Sequence, residues 1–229
     1  IDEWAEAWSY SLIKASNKLA MEKGACPGTE ETKYGLGITP NQTYKKELDE
    51  LVKHKERQNW KELRKNLKEH GIRNSTLMAL MPAETSAQIS NSTNGIEPPR
   101  GYISIKQSKH GVLKQVVPGF PYYKNKYDLL WDQKSPQGYL KIMAVLQKYI
   151  DQGISVNTSY NPEHYEDEKV PMSVLIQDLL MFYKYGGKQL YYNNTFDGQG
   201  EIDVHKEDKL EDLPQGEYDD DEDCESCKI

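Results

Sequence analysis

The fold turns on the segment that begins Trp60-Lys61-Glu62-Leu63 and continues, after seven mostly polar residues, through Gly71-Ile72-Arg73-Asn74-Ser75-Thr76-Leu77-Met78-Ala79-Leu80-Met81-Pro82. It goes on through Ala83-Glu84-Thr85-Ser86-Ala87-Gln88-Ile89-Ser90 to Asn94-Gly95-Ile96-Glu97-Pro98-Pro99-Arg100-Gly101. Trp60, Leu63 and Leu67 share one helical face, and Gly71 is a natural helix stop. Thr76 to Met81 is a nearly unbroken apolar run, which predicts a strand covered on both faces. Pro82 ends it, and Glu84, Thr85 and Ser86 fall in the first turn of the next helix. A helix start presents backbone N–H groups and the positive end of a dipole, and two hydroxyls stand beside them. Such a start is a suitable seat for phosphate.

Before this segment, Trp4, Trp8, Leu12 and Leu19 recur at helical spacing from the first residues, so Ile1 is expected to lie already inside an amphipathic helix. A chain starting in mid-helix without methionine is expected to be a fragment, a processed product or half of a split subunit. Tyr44, Leu48 and Leu51 predict a second helix, and Cys26 beside Pro27 reads as structural. After the segment, Tyr102–Ile105 alternates as a short strand, Tyr127–Trp131 reads as helical, and Tyr139–Ile150 is a helix with a wide apolar face. Ile154–Thr158 alternates as a strand. Pro171 opens a helix bearing Val174, Leu175, Leu179 and Phe182, Gly186-Gly187 stops it, and Gln189–Asn193 is a strand. Strands alternating with helices imply α/β architecture.

Hydrophobic residues make up 37% and charged residues 28% of the 229, and the formal net charge is −7. That balance argues against nucleic acid as a partner, because binders show a basic face. No apolar run approaches membrane-spanning length. Residues 201–229 are dominated by Asp and Glu and read as a disordered acidic tail. The three cysteines include a terminal Cys224-Glu225-Ser226-Cys227, which points to a reducing compartment and a cytoplasmic protein. Two thiols cannot complete a tetrahedral metal site, so no metal ligands are assigned.

The motif Trp60-x-x-Leu63-x7-Gly71-Ile72-Arg73-Asn74-x3-Met78-Ala79-x2-Pro82 resembles the signature of the class I ribonucleotide reductase large subunit. The Glu84–Ile89 and Asn94–Gly101 stretches, Lys188-Gln189-Leu190-Tyr191-Tyr192-Asn193-Asn194-Thr195 and the terminal Cys224–Ile229 extend the resemblance over nearly the whole chain. It implies the second half of a ten-stranded α/β barrel, left open and marginal alone. Residues 1–70 would be a helical segment packing on the barrel, 71–200 the half-barrel and 201–229 the redox tail.

The resemblance also implies roles. Backbone N–H groups at Ala83, Glu84, Thr85 and Ser86, with the hydroxyls of Thr85 and Ser86, would bind a substrate diphosphate, and Ala83 and Ala87 stand where some relatives carry hydroxyls. Tyr191 and Tyr192 would be stepping stones for a radical, Tyr191 the inner and Tyr192 the outer. Strand alternation puts adjacent residues on opposite faces, so one ring is expected inside the barrel and the other outside. Cys224 and Cys227 would reduce an active-site disulfide and be reduced in turn by thioredoxin or glutaredoxin. About 25 flexible residues span roughly 25–30 Å, enough for such an arm. Asp223 and Glu225 should disfavour the thiolate, and many bacterial relatives space the two cysteines more widely. Val174, Leu175 and Phe182 would help form a groove for the small subunit's C-terminal peptide.

No candidate is found for the radical cysteine, its neighbouring acid and amide, or the active-site reducing pair. The resemblance places these, and the allosteric nucleotide sites, in a preceding portion on another chain, and a metal-radical cofactor in the small subunit. No cofactor is assigned to this chain. The expected function is therefore reduction of ribonucleoside diphosphates to deoxyribonucleoside diphosphates within a multi-chain complex. The alternative is a non-catalytic scaffold or regulatory fragment, against which the intact Tyr191, Tyr192, Cys224 and Cys227 speak.

Overall fold

The computed structural model describes residues 1–108 and 111–196. Its first element, α1 (Asp2–Lys23), confirms the helix and its expected inner face only in part, since Trp8 and Leu12 are half-buried against the core. Trp4 is 65% exposed and Leu19 38% exposed, whereas Asp2, Ala5, Glu6, Ser9, Ile13, Ser16, Asn17 and Ala20 are buried. The inward stripe is mostly polar because each polar group has a partner. The Ser9 hydroxyl donates to the Tyr149 carbonyl at 2.8 Å, and Asn17 Nδ2 donates to the Gly71 carbonyl at 2.8 Å. The Glu6 carboxylate accepts from Trp60 Nε1 at 2.9 Å and from Arg57 Nη1 at 2.8 Å. Asp2 accepts from Arg57 Nη1 and the Tyr149 hydroxyl, each at 2.8 Å, and from Lys148 Nζ at 3.2 Å. Burial raises the pKa of both carboxyls, but their hydrogen bonds from Tyr149, Arg57 and Trp60, with the Lys148 charge, outweigh it. The net shift of both is downward.

The second predicted helix contracts to a short 3-10 segment, Lys46–Glu50, whose Leu48 is buried. Helix α2 (Trp60–His70) is as expected: Trp60, Leu63 and Leu67 are buried, each burial stabilising by about 1.5–3 kcal/mol. Asn59 caps its start by accepting from the Glu62 amide, and Gly71 ends it at φ 69°, a conformation costly for other residues.

The run Thr76–Met81 is not a doubly covered strand. Only Met78 is buried, and Met81 is 62% exposed. The Leu77 and Met78 amides donate to the Asp151 carboxylate, at 2.8 and 3.0 Å, instead of to a ladder. A parallel bridge, Leu80 to Ile154, and a bond from the Gln152 amide to the Met78 carbonyl at 3.1 Å also join the run to the later half of the chain. After α3 (Glu84–Ser90), the expected strand at 102–105 becomes one arm of an antiparallel hairpin, β1 (Ile103–Ser108) with β2 (Gly111–Val116). A short α4 (Phe120–Tyr123) comes next, and the expected helix at Tyr127–Trp131 reduces to a 3-10 turn at Leu130–Asp132.

Helix α5 (Gln137–Gln147) is the central pillar, burying Leu140 and Met143–Leu146 and packing on α1, on α6 (Met172–Lys184) and on β3 (Val156–Tyr160). Strand β3 pairs in parallel with β4 (Leu190–Thr195). One apolar cluster runs from Ala5 in α1 to Phe182 in α6, so residues 1–70 and the later elements share a core. The order helix, parallel strand, helix, parallel strand is α/β; among the described residues there is no closed barrel. Val156, Thr158 and Tyr160 are buried while β4 is largely exposed, so β4 is an open edge.

Candidate functional site

Tyr191 and Tyr192 lie on this exposed edge, 52% and 56% exposed. Contrary to simple alternation, their rings do not point to opposite faces. Their centroids are 4.1 Å apart, and the Tyr192 hydroxyl donates to the Tyr191 hydroxyl over 3.3 Å. The cause is a break in strand register. Val156 faces Leu190 and Thr158 faces Asn193, so Asn157 alone is opposed by two residues, Tyr191 and Tyr192. A bulge of this kind bends its strand and re-aims the side chains it carries. The Asn157 side chain fills the gap left in the ladder: its Oδ1 accepts from the Tyr192 amide at 3.0 Å. Its Nδ2 donates to Glu97 Oε1 at 2.5 Å.

Tyr139, from the start of α5, completes this cluster. Burial, then the Glu97 charge, pushes its phenol upward, against a hydrogen bond from the Asn157 backbone. A cavity of about 280 Å³ opens beside it, lined among others by Ala83, Ser86 and Ala87 of the α3 start and by Met143 and Ser155.

The helix start expected after Pro82 is present, with Ala83 as its N-cap residue. The Ala83 amide already donates to Asn94 Oδ1 at 2.7 Å. Amides in the first turn of any helix have no partner within that helix. Thr85 and Ser86 are exposed, and Ser86 reaches the cavity wall; the side chain of Glu84 lies outside the described residues. One short segment, Asn94 to Glu97, therefore touches both sites. Its first residue accepts from the Ala83 amide, and its last accepts from Asn157, whose Oδ1 accepts from the Tyr192 amide.

Helix α6 is formed as expected, but Phe182 is a core residue, 3% exposed, and is unavailable to an incoming peptide. Its ring lies so close under Gly187 that a Cβ there would come within 2.3 Å of it. Val174 and Leu175 are half-buried. The apolar residues that α6 does present are Met172, Ile176, Leu179, Leu180 and Tyr183, a stripe at helical spacing. Buried Asp178 anchors the opposite side, accepting from Gln137 Nε2 at 2.8 Å and the Tyr160 hydroxyl at 3.0 Å.

Cys224 and Cys227, with the rest of the acidic tail, lie outside the described residues. Among the described residues no group of three or more His, Cys, Asp or Glu side chains is placed to hold a metal ion, and no helix is long and apolar enough to cross a membrane. Sequence reasoning did not single out Asn157, or Glu97 as its partner. The available signal was an asparagine inside an apolar strand pattern, where its β-propensity is poor.

The sequence of this chain has counterparts among known proteins. Residues 1–193 match the family model described as "Ribonucleotide reductase, barrel domain". The chain belongs to that family. It is 53% identical over 224 residues to the ribonucleoside-diphosphate reductase 1 subunit alpha of Salmonella typhimurium, covering 98% of this chain and 28% of the relative. It is 56% identical over 211 residues to the subunit alpha of Haemophilus influenzae, covering 92% of this chain and 27% of that protein. Against the subunit alpha of Enterobacteria phage T4 it is 43% identical over 229 residues, covering 99% and 29% respectively. The chain thus spans less than a third of the length of these relatives.

Proposed function

We propose that this chain supplies the later part of the barrel of a ribonucleoside-diphosphate reductase large subunit, contributing a tyrosine relay, a diphosphate seat and a reducing dithiol. The observation that carries the reading is the pair of phenols 3.3 Å apart on an exposed strand edge. Oxidising a tyrosine makes its phenol strongly acidic, so the electron and proton leave together. When a radical on Tyr192 passes to Tyr191, the Tyr191 O–H bond breaks, a Tyr192 O–H bond forms, and one hydrogen atom in total has moved. Tyr192 takes the radical from the small subunit's side, and Tyr191 passes it toward a cysteine on the companion portion.

The diphosphate of the substrate sits at the α3 start. There the N–H groups of the first turn, with the hydroxyls of Thr85 and Ser86, face the anion. A helix terminus contributes about 0.3–1 kcal/mol to an anion, and each charge-assisted hydrogen bond about 1.5–3 kcal/mol. Cys224 and Cys227 return two electrons per turnover and are recharged by thioredoxin or glutaredoxin. The exposed side of α6 takes the small subunit's C-terminal peptide. A companion chain carries the preceding portion, with the remainder of the ten-stranded barrel and the allosteric nucleotide sites. The small subunit carries the metal-radical cofactor. Residues 1–70 buttress the half-barrel of 71–200, and 201–229 form the redox tail.

The test is a reconstitution with companion chain and small subunit, assayed for deoxynucleotide formation. Tyr191→Phe and Tyr192→Phe should each abolish turnover while substrate binding persists. Substantial turnover in either variant removes the relay.

A further inference from the structure

The tyrosine pair is useful as a relay only if both hydroxyls lie on the same side of β4, and a regular strand forbids that. The bulge supplies the exception, and bulges in parallel pairs are rare. Within it the Tyr192 amide donates to the Asn157 side chain, at 3.0 Å, in place of a backbone carbonyl of β3. Asparagine suits this place because it carries an acceptor and a donor on one short planar group. While Oδ1 accepts from Tyr192, Nδ2 donates to Glu97, which fixes the amide's orientation. Asn157 and Glu97 are half-buried, so the bond between their side chains is partly shielded from water.

We infer that Asn157, oriented by Glu97, is a positioning residue for radical transfer: it holds the bulge that brings the Tyr191 and Tyr192 hydroxyls together. This rests on the relay proposed above. Neither side chain touches the reacting oxygens; both act through the backbone of β4. Releasing the Tyr192 amide lets the strand return toward regular register, which swings one phenol to the other face and breaks the 3.3 Å contact.

The experiment uses the full complex with its companion chain and small subunit, with CDP as substrate. Asn157→Ala should lower kcat on the order of 100-fold, the scale of an ångström-level misplacement, with KM for CDP unchanged. Asn157→Asp keeps the acceptor for the Tyr192 amide but sets a carboxylate against Glu97. Its kcat should be low at neutral pH and rise as the pH falls and one proton comes to be shared. The double variant N157D/E97Q rebuilds the bond with its polarity reversed, an amide at position 97 now donating to a carboxylate at position 157. It should regain most of the wild-type kcat with no pH-dependent recovery.

If Asn157→Ala turns over at the wild-type rate while Tyr191→Phe and Tyr192→Phe are inactive, the positioning role is overturned and the relay stands. If the two phenylalanine variants are active, the relay itself falls and this inference with it. If N157D/E97Q is no better than N157D alone, Glu97 is not the support. A fall in kcat that merely tracks loss of complex assembly would show Asn157 to be a general structural residue and also overturn the role.

Discussion

Helix α6 offers a test that separates its core side from its outer side. Phe182 is 3% exposed, and its ring packs beneath Gly187, so truncation to alanine empties a ring-sized space that the backbone above cannot fill by a small shift. Phe→Ala at such a site costs about 3–5 kcal/mol, transfer and cavity terms together. For a protein of this size each kcal/mol moves Tm by about 2–4 °C, so thermal unfolding followed by helical circular dichroism should shift down on the order of 10 °C. Leu180, on the same helix, is 60% exposed. Leu180→Ala should change stability by no more than about 0.5 kcal/mol. It should nevertheless weaken binding of a peptide copied from the small subunit's C-terminus, measured by fluorescence anisotropy, by roughly tenfold, as loss of a buried interface leucine does. The reasoning is refuted if Phe182→Ala melts with the wild type, or if Leu180→Ala costs the larger share of stability.

Three further outcomes rest on the same geometry. Asp2 and Glu6 have pKa values below those of free carboxyls, so the stability they contribute is fully present above the unfolded-state values. It is lost as pH falls through the folded ones. Urea midpoints should therefore hold from neutral pH down to about pH 5 and then drop; Arg57→Ala should flatten that drop, and an unchanged acid limb would contradict the assignment. Thr85→Val alone should raise KM for a ribonucleoside diphosphate by about tenfold or more, the equivalent of one lost hydrogen bond to a charged group, and an unaltered KM would remove the seat. Cys224→Ser or Cys227→Ser should permit one turnover and stop the next in the reconstituted complex, which rapid-quench product counting resolves.

The sequence was legible where side-chain pattern and burial agree. Trp60, Leu63 and Leu67 in α2, and Leu140 to Leu146 in α5, announce their helices because the apolar face is also the inner face. In α1 the two part company. Trp4 and Leu19 are outside, Trp8 and Leu12 are only half-buried, and the buried face carries Asp2, Glu6, Ser9, Ser16 and Asn17 beside Ala5, Ile13 and Ala20. Periodicity cannot find such a face, since its stability depends on distant partners. For Asp2 these are Arg57 and Tyr149, 55 and 147 residues away, whose positions only the tertiary fold sets. Thr76–Met81 misled for a related reason. Its apolar run looks like a central strand, yet the Asp151 carboxylate takes the amides of Leu77 and Met78, and a side chain is not visible as a ladder partner in a one-dimensional pattern.

The candidate site divides in the same way. The helix start at Ala83 to Ser86 was readable from Pro82 and the run of polar residues after it, because helix starts are set by local chemistry. The facing of Tyr191 and Tyr192 was not, since alternation is the default and the bulge that defeats it is a property of two strands, not one. It takes the pairing of Val156 with Leu190 and of Thr158 with Asn193 to leave one residue opposite two. A Tyr-Tyr sequence on a regular strand would carry its phenols on opposite faces and could not make the 3.3 Å contact. The adjacency that makes the pair recognisable in the sequence is thus insufficient for the chemistry proposed for it. What converts adjacency into contact is an asparagine 35 residues earlier in the chain, and a glutamate a further 60 before that.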